Sequence, residues 1–230
     1  DIKMRNKIQP YLFWILLGFL AIGTVYPAIG LLAIVCMLAP VLLASWKGRF
    51  WCGNFCPRGS FYDNVIAKIS PKKPVPAFFR SKGFRVFMVL FIMGVFSFQM
   101  YFAWGDISAM GAVFVRIILA TTVAGVILGV AFHQRTWCNF CPMGTMASWL
   151  SAKSKPQPLA VNDTCVKCKR CTKVCPMQLT PYNAKGHPEG YTNSDCLKCG
   201  RCIDICPRGA LSFENQSSEH SKYYNTDSAA

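Results

Sequence analysis

Cys165-Val166-Lys167-Cys168-Lys169-Arg170-Cys171-Thr172-Lys173-Val174-Cys175-Pro176, echoed by Cys196-Leu197-Lys198-Cys199-Gly200-Arg201-Cys202-Ile203-Asp204-Ile205-Cys206-Pro207, decides the fold of the C-terminal part of the chain. Three thiolates at this spacing wrap one [4Fe–4S] cubane, while the fourth cysteine, displaced and followed by proline, turns to the cluster of the other run. The expected ligands are therefore crossed. Cys165, Cys168, Cys171 and Cys206 serve one cluster, and Cys196, Cys199, Cys202 and Cys175 the other. Zinc also takes paired CxxC thiolates, but it has no use for a doubled rhythm that carries both prolines.

Outward from these runs the composition changes. The chain of 230 residues is 53% hydrophobic and only 15% charged, too apolar for an ordinary soluble domain. The apolar mass lies in the N-terminal part. Tyr11 to Trp46 holds uncharged, mostly aliphatic residues with a turn at Thr24-Val25-Tyr26-Pro27, enough for a helical hairpin across a membrane. A second hairpin is read from Val86–Phe102 and from about Gly111 to Phe132, joined through Ala103–Ser108. The expectation is a membrane α-helical domain of four spans over residues 1–155, a small α+β two-cluster ferredoxin domain over 156–212, and a disordered polar tail over 213–230.

Lysine and arginine set the orientation. Lys3, Arg5 and Lys7 precede the first helix; nine basic residues from Lys47 to Arg85 fill the middle loop; Arg135, Lys153 and Lys155 follow the fourth helix; the two short loops opposite carry none. Both termini and all cluster ligands are expected in the cytoplasm, at a bacterial or archaeal cytoplasmic membrane. A signal peptide is the competing reading of the first apolar stretch, but no cleavage site followed by a soluble domain appears. In a reducing compartment the 13 cysteines are not a disulfide framework.

The membrane part repeats itself. Arg49-Phe50-Trp51-Cys52-Gly53-Asn54-Phe55-Cys56-Pro57-Arg58-Gly59-Ser60 closes the first hairpin and Arg135-Thr136-Trp137-Cys138-Asn139-Phe140-Cys141-Pro142-Met143-Gly144-Thr145 the second, differing by the inserted Gly53. An even number of helices separates the copies, so both emerge on one face. Cys52, Cys56, Cys138 and Cys141 can then meet as ligands of a third iron–sulfur cluster. A structural zinc staple and free or reversibly oxidised thiols are the alternatives. Cys36, inside the second helix, is given no role.

The two repeats followed by the paired tetracysteine runs resemble the NapH-type membrane ferredoxins, which share this core with the NosR and CcoG/RdxA proteins. The resemblance spans roughly residues 10 to 212. It implies a membrane-bound electron-transfer subunit associated with menaquinol oxidation, or one that supplies electrons to a partner enzyme or a maturation pathway. The second repeat departs from the family's usual three-residue gap, with Cys138-x-x-Cys141. Nothing resembles the flavin-bearing domain of NosR, and no flavin is expected.

Quinone chemistry needs an apolar slot and a proton-handling group. Arg116 within the fourth helix, which can instead snorkel or pair with Asp106, and His133 at its inner boundary are the candidates. Of His133, His187 and His220 only the first adjoins a helix, so a bis-histidine haem is excluded. No glycine-rich phosphate loop supports a dinucleotide. Residues 151–212 carry ten lysines and arginines against four acids, a face for anionic lipid or for an acidic carrier such as a soluble ferredoxin or flavodoxin. Nucleic acid is not expected as a partner. The reading is an electron relay between the membrane surface or quinone pool and a redox partner. The alternatives are a reductant for metalloenzyme maturation and a non-redox, zinc-stapled scaffold.

Overall fold

The break at Tyr26-Pro27 ends the first helix, because proline offers no N–H to continue the ladder. The computed structural model describes residues 8–154, 158–187 and 189–213; Lys3, Arg5, Lys7, Lys155, His220 and the tail beyond Phe213 lie outside them. Helix α1 (Leu12–Val25) stops there, and a 3-10 turn over Pro27–Leu32 feeds α2 (Ala33–Lys47). Gly48, at φ 61°, turns the chain in a left-handed conformation that suits glycine. Short helices α3 (Phe50–Asn54) and α4 (Pro57–Phe61) follow, and a π turn over Tyr62–Ile66 extends α4.

Two longer helices come next, α5 (Lys82–Phe102) and α6 (Ile107–Ala131). Each has its own cap. Ser81 accepts the N–H of Phe84, and Asp106 accepts that of Ser108 at 2.8 Å. Helix α7 (Pro142–Ser154) closes the helical part. The chain then forms a two-stranded antiparallel sheet, β1 (Leu159–Val161) with β2 (Leu211–Phe213), Leu159 facing Phe213. Between the strands lie α8 (Arg170–Lys173) and α9 (Arg201–Asp204). Leu159, Cys171, Ile203 and Leu211 form the small core of this α+β unit.

Three segments, Pro27–Lys47, Lys82–Phe102 and Ile107–Ala131, are long and apolar enough to cross a membrane; Gln9–Val25 is apolar but shorter. At 1.5 Å per residue it reaches about 25 Å, less than the roughly 30 Å of hydrocarbon. Of the four helices expected to span, three reach that length and the first, at the low end of the expected range of about 17–20 residues, is shorter. These helices present apolar surface outward: Leu90, Phe98, Val123 and Ile127 are all exposed. Tyr26, Tyr101 and Trp104 stand exposed at one end, with Tyr11 and Trp46 at the other, as aromatic belts do.

The interior is where polarity collects. Arg49, Arg85 and Arg135 are buried, as is the carboxylate of Asp63. The two halves pack in matching fashion, α1 on α4 and α5 on α7. Gly125 and Gly129, a small-residue face in the sequence, admit Tyr62 and Ile66 of the π turn against α6. Cys36 points outward from α2 rather than into the bundle.

Candidate metal centres

Each cysteine run in the α+β unit winds through the same left-handed positions. Lys167 and Lys198 have φ 51°, Lys169 and Gly200 have φ 62° and 73°, and Gln178 and Gly209 have φ 53° and 57°. These bends curl each loop so that its three thiols face one space. The N–H groups of Leu179 and Ala210 point at the sulfurs of Cys175 and Cys206, each at 3.4 Å. The structure gathers Cys165, Cys168, Cys171 and Cys206 around one cavity. It gathers Cys175, Cys196, Cys199 and Cys202 around another. Each cavity is thus walled by three cysteines of one run and the displaced cysteine of the other. Burial pushes the Cys175 thiol up to about 11.

The two cavities differ in setting. Val166, Lys167, Cys168, Lys169 and Arg170 are all exposed at the first. Beside the second, the backbone of Leu197 lies so close to Gly53 that a β-carbon there would overlap the Leu197 carbonyl oxygen. The residue by which the first repeat exceeds the second is thus where the Cys196 loop seats. Asn54, next in the chain, donates to the carbonyl of Lys198 at 3.5 Å.

The repeat cysteines form the third group. Burial pushes the thiol of Cys56 up to about 12, with Cys52 and Cys138 adding to the rise. Cys52 is raised by burial too, against the pull of Arg49 and with Cys141 and Cys138 contributing, so the four sulfurs share one neighbourhood. Such thiols are poor free nucleophiles. Among the described residues, no three His, Cys, Asp or Glu side chains converge tightly enough to hold a single metal ion. The indole Nε1 groups of Trp51 and Trp137, each preceding its cysteine, are buried without an acceptor. Orphaned donors beside four thiols fit a sulfur-rich anionic group, whose sulfurs accept hydrogen bonds.

Two buried arginines cross-link the repeats. Arg49 donates to the carbonyl of Cys138 at 2.7 Å, and Arg135, its counterpart, to that of Cys52 at 3.1 Å. Arg135 Nη1 also lies 3.6 Å from the Cys138 sulfur. Gly59 and Gly144 leave room for this exchange: a β-carbon on Gly59 would come within 2.6 Å of Arg135, and one on Gly144 within 2.7 Å of Arg49. Each guanidinium needs an anion. Asp63 clamps Arg135 with both oxygens at 2.9 Å and takes Arg201 at 2.6 Å. Ser148 occupies the place of Asp63 in the second repeat, and the carboxylate comes from the cysteine-rich unit instead. Asp195 takes Arg49 at 3.1 Å, Ser148 at 2.9 Å and Arg85 through both oxygens at 3.1 and 2.7 Å.

Sequence reasoning missed this network because the arginines were read as topology signals. Between Asp1 and Asp106 the chain has a single acid, Asp63, amid many cations; a lone carboxylate in such a stretch was the available signal. The two quinone candidates are not brought together. Arg116 is exposed on α6, and the helix from it to Ala131, two residues before His133, rises roughly 22 Å. Arg116 has no ion pair with Asp106, whose carboxylate caps α6.

A 4Fe-4S binding domain model matches residues 29–76 and again 113–157, the two repeats, and a 4Fe-4S dicluster domain model matches 157–207. The chain is 27% identical over 181 residues to an uncharacterized protein of Methanocaldococcus jannaschii, covering 73% of each chain. No solved structure matches. The chain therefore carries 4Fe-4S ferredoxin-type domains on a mostly helical frame, with an iron–sulfur electron-transfer role.

Proposed function

We propose that the protein is a membrane-bound relay of three iron–sulfur centres, passing single electrons between the membrane surface or quinone pool and a partner redox protein. Cys165, Cys168, Cys171 and Cys206 would hold the outer centre, Cys175, Cys196, Cys199 and Cys202 the middle one, and Cys52, Cys56, Cys138 and Cys141 the innermost. Bound there, such clusters supply reversible one-electron chemistry. The chain's own contribution is positioning and charge. The observation that carries the reading is the seat of Leu197 on Gly53, which sets the peptide after Cys52 against the peptide after Cys196. Arg49, Arg135 and the two indole donors supply positive charge and N–H groups around the innermost thiolates, which stabilises the more negative reduced state.

The exposed cationic rim at Lys167, Lys169 and Arg170 suits an acidic carrier, which charge complementarity would steer onto the outer centre. All three sites lie beyond the same ends of the apolar helices, so transfer across the bilayer would need quinone or another subunit. Iron and sulfide per chain on anaerobically purified protein test the reading. About twelve iron, falling to about eight in Cys52→Ser/Cys138→Ser, is expected for three cubanes. About eight in both would remove the innermost centre, and zinc in its place would make the repeats a structural staple.

A further inference from the structure

Between the membrane part and the cysteine-rich unit lies an open cleft of about 960 Å³, within the size range of small-molecule sites. We propose that it binds a phosphate ester of a polyol. His133 lines it and is only 6% exposed. Its Nδ1 accepts the N–H of Arg135 at 3.4 Å, so the ring proton sits on Nε2, which has no partner among the described residues. Burial holds this imidazole neutral, pushing it down to about 4. It is therefore a buried donor whose free N–H serves the cleft.

Cations face it from both walls. Lys72, from the loop before α5, and Lys173, from α8, line the cleft and have no ion pair among the described residues. Arg80 is held in place through Met177 and Gln178 but keeps an unpaired Nε. The carboxylate on the wall is Asp204. Such a set recognises the charge and multiple oxygens of a phosphate. Gln134 argues for an ester over the bare ion: it lines the cleft, and its buried Oε1 lacks a donor, which a polyol hydroxyl supplies. His133 and Gln134 follow the end of α6 at Ala131 after the single residue Phe132. The cleft therefore lies where a spanning helix leaves the hydrocarbon, within reach of both a lipid headgroup and a soluble ester.

The test uses delipidated holoprotein in detergent. Calorimetric titration with sn-glycerol 3-phosphate reads the soluble source. Retention of phosphatidylglycerol from phosphatidylglycerol/phosphatidylcholine nanodiscs, counted by phosphorus, reads the lipid source. Saturable binding in one arm is expected, weakened at least tenfold in Lys72→Gln/Lys173→Gln and also weakened in His133→Gln, with Lys82→Gln, outside the cleft, unchanged. The responding arm identifies the source. Failure of both arms, equal binding by the double variant, or binding of an acidic peptide alone overturns the proposal. None of these readouts depends on the iron content, so the site stands or falls apart from the relay.

Discussion

The buried guanidinium of Arg49 and the partly buried carboxylate of Asp195 form an ion pair, 3.1 Å from Nη1 to Oδ1, across the junction of the helical part and the cysteine-rich unit. The pair joins the two proposed inner centres: Arg49 also holds the Cys138 carbonyl, and Asp195 immediately precedes Cys196. Breaking such a pair leaves a buried guanidinium uncompensated, at a cost of about 3–5 kcal/mol. Asp195→Asn keeps a partner for Ser148 but strands Arg49 and Arg85. We expect a thermal midpoint several degrees lower in detergent. Hydrogen exchange should rise at residues 196–199, the loop seated on Gly53. A change confined to the midpoint would mean that the pair stabilises the helices without holding the junction.

Asp63 gives the pH dependence. Burial alone would raise its carboxyl, but the charge and hydrogen bonds of Arg135, with Arg201 and Gln9, hold it below the usual range. A carboxyl lowered by folding contributes stability that is complete above its unfolded value of about 3.9 and is lost as pH falls through the folded value. Stability attributable to Asp63 should therefore be flat from neutrality to about pH 4 and decline below it. Asp63→Asn should be destabilised by about 3 kcal/mol at neutral pH and show a shallower acid limb, read as thermal midpoint against pH. An unchanged limb would assign the acid sensitivity elsewhere.

The cysteine groupings were legible because ligand spacing is local: three thiols on one tight loop have few ways to face a common space. The repeats were legible because they are duplicated strings, and the apolar runs because length and hydropathy suffice. The junction was not. Arg49 and Asp195 are distant in sequence, and nothing in the local pattern separates an arginine that marks the cytoplasmic face from one that is buried in an ion pair. Gly53 was visible as an insertion, but its reason lies in the Leu197 backbone, which only the folded chain brings to it. The turn at Tyr26-Pro27 was legible because proline breaks the helix there.

Gly53 can be tested from both sides. Gly53→Ala places a methyl against the Leu197 carbonyl and 3.0 Å from its β-carbon. Overpacking of this kind typically costs about 1–3 kcal/mol, and the backbone it meets cannot rotate away. Deleting Gly53 instead turns the first repeat into the Cys-x-x-Cys form of the second. Gly53→Ala should keep full iron but loosen the Cys196 loop by hydrogen exchange. The deletion should also keep the innermost iron, since the second repeat uses that spacing, while losing protection of the same loop. Full protection in both variants would mean that the insertion serves ligation rather than docking.

Lys169 and Gly200 occupy equivalent left-handed positions, φ 62° and 73°, in the two cysteine loops. A side chain there costs about 1–2 kcal/mol, offset in part by the 0.5–1 kcal/mol or so that glycine loses on folding through its greater freedom when unfolded. The strain is the larger quantity, so Lys169→Gly should stabilise by about 0.5–1 kcal/mol and Gly200→Ala should destabilise by a similar amount. Lys169 is exposed, so no buried contact is lost in the first variant. The readout is the temperature at which charge-transfer absorbance disappears under anaerobic heating. Opposite shifts are expected, upward for the first and downward for the second. A downward shift for Lys169→Gly would show that the lysine does more for the outer site than its backbone conformation costs.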